Sequence, residues 1–425
     1  MAMNRRRFLE VSSAAGATLL LPGSGRTANV QAANEKLNIG VIGVAHQGEY
    51  NLNSVATENI VALCDIDENY LAAAKARFPQ AATYHDYRRM LERKDLDAVV
   101  IATPDHTHAS ATLAALETGR HVYCEKPLTH TVAEARKVTE LARRQKRVTQ
   151  MGTQIHAGNN YRRVVELIQS GAIGAVTETH HWVGRVWRGA EIRGDAPPVP
   201  SHLHWDLWLG PQPFRPYRSE YVPANWRGYW AFGGGTMADM GCHHMDLAYW
   251  ALGLGQPLTI SAEGPPVHPD LAPEWITARF TYPARGKQPP VTLTWYHGEK
   301  RPPQFAEGKL PKWGDGSLFV GEKGMLLADY GRYVLLPEKD FAGFVPPDRT
   351  IPDSIGHHAE WINAIKTNGT TTCRFDYSAV LTEAVLLGTV AYRAGKMLEW
   401  DAAKLKFKNA PEAEGLLHPV YREKW

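Results

Sequence analysis

Short apolar runs alternate with amphipathic stretches over the first third of the chain. Leu37–Gly43 reads as a buried strand, followed by a helical stretch and a second strand at Ile60–Cys64. A strand at Ala98–Ala102 and a helix at His106–Thr118, closed by Gly119, come next. The strand His121–Cys124, the helix Thr131–Arg144 and a strand beginning at Val148–Thr149 complete the series. Strands alternating with helices predict a parallel, doubly wound sheet, with ligands at the carboxyl ends of the strands.

From Met151 the pattern changes. Asn159–Ser170 predicts an amphipathic helix, with Val164, Val165, Leu167 and Ile168 on its apolar face, and Val176–Val183 a strand. Further strands are expected at Thr259–Glu263, Thr277–Phe280, Val291–Tyr296, Ser317–Gly321, Met325–Ala328 and Tyr333–Leu336. Their close spacing and turns such as Gly321–Gly324 predict a large, mainly antiparallel open sheet. Helices near His357–Lys366 and Tyr377–Lys396 close the chain. The Pro/Gly/Trp-rich stretch Gly184–Tyr229 has no clear period; a loop of that length usually covers a site or serves an interface. The expected organisation is a Rossmann domain over 36–153 and an α/β domain over 154–425 for substrate binding and oligomerisation.

Composition changes this picture only at the N-terminus. The 425 residues carry 47 basic and 44 acidic side chains, a formal charge of +3. Arg5, Arg6, Arg7 and Arg26 against Glu10 account for all of it, so the remainder is neutral and gives nucleic-acid binding no support. Asn4-Arg5-Arg6-Arg7-Phe8-Leu9 is a twin-arginine pattern ahead of the modest apolar run Val11–Leu21, and Val30-Gln31-Ala32 is a plausible cleavage site. That run is shorter than the roughly 20 residues a membrane-spanning helix needs. Residues 1–32 therefore read as a signal for export of the folded protein to the periplasm, with no membrane attachment after cleavage. The four cysteines are scattered without zinc spacing. His180-His181, His202-x-His204 and His357-His358 invite a metal, but no acidic or cysteine residue completes a spacing, so none is expected.

The candidate chemistry lies at the predicted strand ends. Gly43-Val44-Ala45-His46-Gln47-Gly48 is a variant of G-x-G-x-x-G with alanine at the middle glycine. Gly43 permits the tight turn, a small residue at Ala45 lets the backbone approach a pyrophosphate, and Gly48 lets the helix pack on the strand. Asp65 follows Gly43 by 22 residues, the distance of a carboxylate that binds an adenosine ribose and disfavours a 2′-phosphate. NAD is the expected cofactor, with NADP as the alternative. Thr103-Pro104 to His108 and Glu125-Lys126-Pro127 end two further strands. In the second half a glycine run precedes Asp239 and His243, four residues apart and so on one helix face, with Asp246 and Trp250 continuing it. Thr236-x-x-Asp239 is equally a capping box, and His243 equally a hydrogen-bonded core histidine. Seven of the thirteen tryptophans fall between Trp182 and Trp250, which suits a sugar pocket and an aromatic core alike.

The glycine turn, Thr103-Pro104…His108, Glu125-Lys126-Pro127 and Asp239-x-x-x-His243 together resemble the glucose–fructose oxidoreductase / inositol dehydrogenase / MocA family (Gfo/Idh/MocA). The resemblance implies Lys126 beside the nicotinamide, Pro127 bending the chain there, often as a cis peptide, and Lys126, Asp239 and His243 facing substrate. It adds Trp226-Arg227 at the nicotinamide end and Gln154, His156 and Asn160 as pocket-lining candidates, each equally readable as a cap or surface residue. His243 suits the base that takes the hydroxyl proton, Lys126 would polarise the hydroxyl, and Asp239 would hold substrate and orient the histidine. The family acts mainly on sugars, inositols and related polyols. Export away from the cytoplasmic NAD pool implies a cofactor held tightly and recycled in place. The expected activity is oxidation of a sugar or polyol secondary hydroxyl. The alternative is a glycosidase working through a transient keto-sugar; such relatives carry a Y-P-T-H-G-type segment where this chain has Asp239…His243. A non-catalytic nucleotide or sugar sensor comes third. A homo-oligomer, dimer or tetramer, is expected.

Overall fold

A computed structural model describes residues 35–423, so the export-signal reading of residues 1–32 lies outside the described residues. The first domain holds a six-stranded parallel sheet in the order β3-β2-β1-β4-β5-β6. Its strands are β1 (Asn38–Ile42), β2 (Asn59–Cys64), β3 (Ala82–Tyr84), β4 (Ala98–Ile101), β5 (His121–Glu125) and β6 (Thr149–Gly152). β4 is buried throughout and β1 nearly so, which is why both read as unbroken apolar runs: helices cover both faces of a parallel sheet. The strand order reverses between β1 and β4, and there the ends of the two strands part to leave a crevice.

The second domain is built on a nine-stranded sheet, β13-β12-β11-β7-β10-β9-β8-β14-β15. Its strands are β7 (Val176–Val183), β8 (Thr259–Glu263), β9 (Thr277–Tyr282), β10 (Val291–His297), β11 (Gly316–Gly321), β12 (Gly324–Ala328), β13 (Tyr333–Leu336), β14 (Leu398–Asp401) and β15 (Lys406–Phe407). All pairings are antiparallel except β7 with β10. The helix Phe375–Ala394 is apolar nearly all round because it lies between the helices Val132–Gln145 and Gly235–His244 and against β8. It thereby docks the two domains on one continuous core. Among the described residues no helix is long and apolar enough to cross a membrane.

The irregular stretch after β7 packs rather than dangles. Trp205, Trp208, Tyr221, Trp226, Tyr229 and Phe232 form a buried cluster, with the Trp205 and Trp208 rings stacked at 4.5 Å. For Trp205 the core account holds, while Trp208 and Trp226 belong to this core and also line the cavity at the strand ends of the first domain. The segment around Leu203 also returns to the first domain, pairing with Asp67 in an isolated antiparallel bridge.

Candidate active site at the domain junction

The turn after β1 is built as its glycines require. Gly43 has φ +81°, and a Cβ there would lie 2.5 Å from the carbonyl oxygen of Ala102. A Cβ on Gly48 would lie 2.1 Å from the oxygen of Gly43, so strand, turn and helix approach closely only without side chains. Asp65 follows β2 directly with its carboxylate anchored: Oδ2 accepts from Val44 N at 2.9 Å and Oδ1 from Asp67 N at 3.0 Å. Burial raises the Asp65 pKa, and those N–H donors oppose the rise.

A cavity of about 380 Å³ opens at the carboxyl ends of β1, β2, β4 and β5. Of the residues expected to bind the cofactor, Gly43, Ala45, Asp65, Thr103, Pro104, His108, Glu125, Lys126, Trp226 and Arg227 line it. Gly48 sits behind the turn and acts through its packing. The close glycine cradle and the carboxylate at the β2 end fit a dinucleotide laid across the sheet. Two lining residues serve mainly as braces. His108 sets Nδ1 2.7 Å from the oxygen of Pro127 and Nε2 2.8 Å from that of Thr103; burial pushes its pKa down to about 4, so the neutral ring donates to one of these carbonyls while packing between the ends of β4 and β5. Glu125 Oε1 collects the amides of Gln47, Asn51 and Gln154 at 3.1, 2.9 and 2.7 Å.

The Lys126–Pro127 peptide is cis, as the resemblance implied. Lys126 Nζ donates to Asp239 Oδ1 at 2.7 Å and to the Asp239 main-chain oxygen at 2.9 Å, across the domain boundary. Arg227 Nε donates to the same Oδ1 at 3.1 Å, and Trp187 Nε1 to Oδ2 at 2.7 Å. Burial opposes ionisation of Asp239, but the charges of Lys126 and Arg227 outweigh it and hold the carboxyl well below its usual range. Arg227 in turn lies against two indoles, 4.2 Å from the Trp226 centroid and 5.3 Å from that of Trp187.

His243 stands one turn along the helix Gly235–His244. Its Nδ1 is buried without a hydrogen-bond partner. Burial and then the Lys126 charge push its pKa well below the ordinary histidine value, so the ring is neutral, with a lone pair available but a lower basicity than an ordinary histidine. The expected orienting bond from Asp239 to His243 is not formed, since the carboxylate turns towards Lys126, Arg227 and Trp187. The capping-box account of Asp239 also gives way: the helix is capped at Gly234 without a side chain, and Thr236 Oγ1 accepts from Trp187 N at 2.6 Å.

Four other expected positions lie elsewhere. The helix is interrupted at Met245, where the Tyr161 hydroxyl donates to the oxygen of His243 and the Ser317 hydroxyl to that of His244, each at 3.1 Å. Asp246 is fully buried and spent on core partners, bonded to His156 Nδ1 at 2.9 Å and to the Tyr377 hydroxyl at 2.6 Å. His156 is thus a core histidine, stacked on Trp250 at 4.1 Å. Gln154 is spent on Tyr123 and Glu125. Asn160 bonds the main-chain oxygens of Asp329 and Arg332, and so fixes the loop that sets Tyr330 near His243 and His244.

Sequence reasoning missed two site residues. Trp187 stood among the tryptophans with nothing to mark it as a donor to Asp239. Asp105, next to the flagged Thr103-Pro104, lines the cavity almost wholly buried. Burial pushes its pKa up to about 7 against the opposing charges of Arg227 and Lys126.

Comparison with known proteins agrees with this geometry. Residues 37–153 match the profile of an oxidoreductase family's NAD-binding Rossmann fold, and residues 161–300 that family's C-terminal alpha/beta domain, together more than half of the chain. Inositol 2-dehydrogenase of Salmonella paratyphi B is 32% identical over 150 residues, 34% of this chain and 45% of that protein. A glycosyl hydrolase family 109 protein of Stenotrophomonas maltophilia is 36% identical over 138 residues, 29% of this chain and 30% of that one. The chain thus spans less than half the length of these curated relatives. The WlbA dehydrogenase of Bordetella pertussis, solved with NADH and UDP-GlcNAcA, superposes with a TM-score of 0.61 at 18% identity, covering 86% of this chain and 99% of that one. At that identity the likeness establishes the shared fold. Residues 37–153 accordingly form an NAD-binding Rossmann domain.

Proposed function

The chain belongs to the Gfo/Idh/MocA oxidoreductase family, and from that premise we propose that it oxidises a secondary hydroxyl of a sugar or polyol with NAD retained between turnovers, the NADH formed being reoxidised in place by reduction of a second sugar's carbonyl. The observation that carries the proposal is Lys126, which lines the NAD cavity and pairs with Asp239, with a neutral His243 whose Nδ1 has no hydrogen-bond partner one turn beyond on the Asp239 helix. Bound NAD supplies the hydride acceptor. Gly43 and Gly48 admit the pyrophosphate, and Asp65 holds the ribose hydroxyls. Lys126 donates a hydrogen bond to the substrate oxygen and stabilises negative charge as it develops there. His243 takes the hydroxyl proton as the C–H bond breaks. Asp239 keeps Lys126 aimed, and Arg227 and Trp187 keep Asp239 in place.

Retention of the cofactor is supported by the segment around Leu203, which crosses from the second domain to the rim of the cavity. It also suits the twin-arginine pattern: an enzyme exported folded carries its cofactor with it. A second reading, glycoside cleavage by oxidation, elimination, hydration and re-reduction, uses the same residues and is supported by similarity to the family 109 hydrolases. One experiment separates the readings. The native protein is denatured and any released nucleotide identified, and the intact protein is incubated with sugars and glycosides in deuterated water. Bound NAD with a keto-sugar product supports the oxidoreductase. Free aglycone, with deuterium beside the transiently oxidised carbon, moves the assignment to the hydrolase. A native protein without nicotinamide nucleotide refutes retention, and an active His243→Ala enzyme refutes the base. Fusing residues 1–34 to a reporter tests export: no twin-arginine-dependent translocation refutes it.

A further inference from the structure

The segment that crosses between the domains brings together side chains far apart in sequence. Glu68 N donates to the oxygen of His202, and His204 N to that of Ile66, each at 2.9 Å, on either side of the Asp67–Leu203 bridge. This lays His204 over the first turn of the helix Glu68–Arg77, where His85, just past β3, stacks on it at 4.1 Å. The ligand atoms of Glu68, His85 and His204 all fall within 4.8 Å of one another. The metal reading of His202-x-His204 lacked a nearby acid in sequence; the fold supplies one.

Hydrogen bonding prepares these groups to bind a cation. His85 Nδ1 lies 3.0 Å from the carbonyl oxygen of Asp65. A carbonyl only accepts, so Nδ1 carries the hydrogen and Nε2 presents a lone pair, the second-sphere arrangement of metal-bound histidines. His204 Nε2 is buried and makes no hydrogen bond, although Glu68 Oε1 is only 3.3 Å away. The two atoms lie within ion-pair distance but outside hydrogen-bond geometry, so a cation can stand between the nitrogen and the carboxylate oxygen. Two imidazoles and one carboxylate form the donor set of a zinc-class divalent ion, with water completing a tetrahedron. Binding draws the ligand atoms to the roughly 3.3 Å spacing that metal–ligand bonds of about 2.0–2.1 Å impose. Glu68, half exposed, can make that move.

We propose that Glu68, His85 and His204 bind a zinc-class divalent cation that latches the crossing segment onto the NAD-binding domain. His85, His202 and Leu203 all line the cavity, so the latch stands at its rim and slows exchange of the cofactor. Only this coupling to exchange rests on the function proposed above; cation binding does not.

The test uses the untagged protein with its native cofactor, stripped of metal by chelator and then dialysed against buffered Zn²⁺ or Co²⁺. Wild type should retain one Zn²⁺ per chain and give the intense visible absorption of tetrahedral Co²⁺. His85→Ala, His204→Ala and the conservative Glu68→Gln should each weaken binding at least tenfold, whereas His418→Ala should not. Circular dichroism confirms that the variants are folded. No retained Zn²⁺ at about 10 μM free metal, or equal retention in all variants, overturns the site and leaves an ordinary histidine–glutamate ion pair or an adventitious ion only. Zn²⁺ bound by these residues without slower cofactor release overturns the latch, and Zn²⁺-dependent slowing that Glu68→Gln abolishes supports it.

Discussion

The contact between Lys126 and Asp239 can be weighed without knowing the substrate. Its atoms lie 2.7 Å apart, with side chains 13% and 7% exposed. Unit charges about 3 Å apart attract by about 1 kcal/mol in water and about 5 kcal/mol at an effective dielectric constant of about 20. Near-complete burial favours the upper end, and the desolvation that must be offset lowers it, so a coupling of about 2–3 kcal/mol is expected. The assay is a double-mutant cycle of Lys126→Met and Asp239→Asn, followed by urea unfolding with NAD saturating in all four proteins. Lys126→Met leaves the carboxylate with Arg227 and Trp187 and should cost about 2–3 kcal/mol. Asp239→Asn removes the carboxylate that two cations share, leaving them only neutral partners, and should cost about 3–5 kcal/mol. The double variant should recover the coupling. A coupling below about 0.5 kcal/mol would refute the pair as the organising contact of the site. Each single variant should also lower kcat about 10²–10³-fold on any substrate that wild type turns over.

Three other expectations follow from the same geometry. Asp105 has a folded pKa raised to about 7, so wild type should lose stability as pH rises from about 4 through 7, by up to about 4 kcal/mol. Asp105→Asn should remove that slope and be the more stable protein above pH 7; identical pH–stability curves would contradict it. Asp65→Asn removes the charge that a 2′-phosphate would meet and should narrow the preference for NADH over NADPH by about tenfold or more, read as the ratio of their dissociation constants. Gly48→Ala forces a Cβ against the backbone of Gly43 and should destabilise the fold by about 1–3 kcal/mol and weaken NAD binding, whereas Gly119→Ala, with open space around it, should spare NAD binding.

What was legible in the sequence was local. The glycine turn, the acid at the end of β2 and the Glu125-Lys126-Pro127 strand end each depend on a few consecutive residues, and each stands where periodicity and spacing put it. The four-residue spacing likewise set Asp239 and His243 one turn apart on a single helix. Partners supplied from afar were not legible. Hydroxyls of Tyr161 and Ser317 take the main-chain oxygens of His243 and His244 where that helix breaks, and Asp246 is spent on His156 and Tyr377, partners that no helical spacing foretells. Trp187 reaches Asp239 from 52 positions away, and His204 meets Glu68 and His85 only because a loop returns to another domain. Asp105 needed burial, not a motif, to become distinctive.

Lys126 belongs to the NAD-binding domain and Asp239 to the other, so the contact between them is also a compatibility code between the two halves of the gene product. An engineer who grafts a new substrate domain onto this Rossmann domain, to borrow a specificity from a relative, inherits two obligations. The incoming helix must deliver a carboxylate to within reach of Lys126, and the incoming loop must bring its own guanidinium and indole to hold that carboxylate still. A chimaera that honours the fold and misses this junction would be expected to bind NAD with its lysine left unpaired.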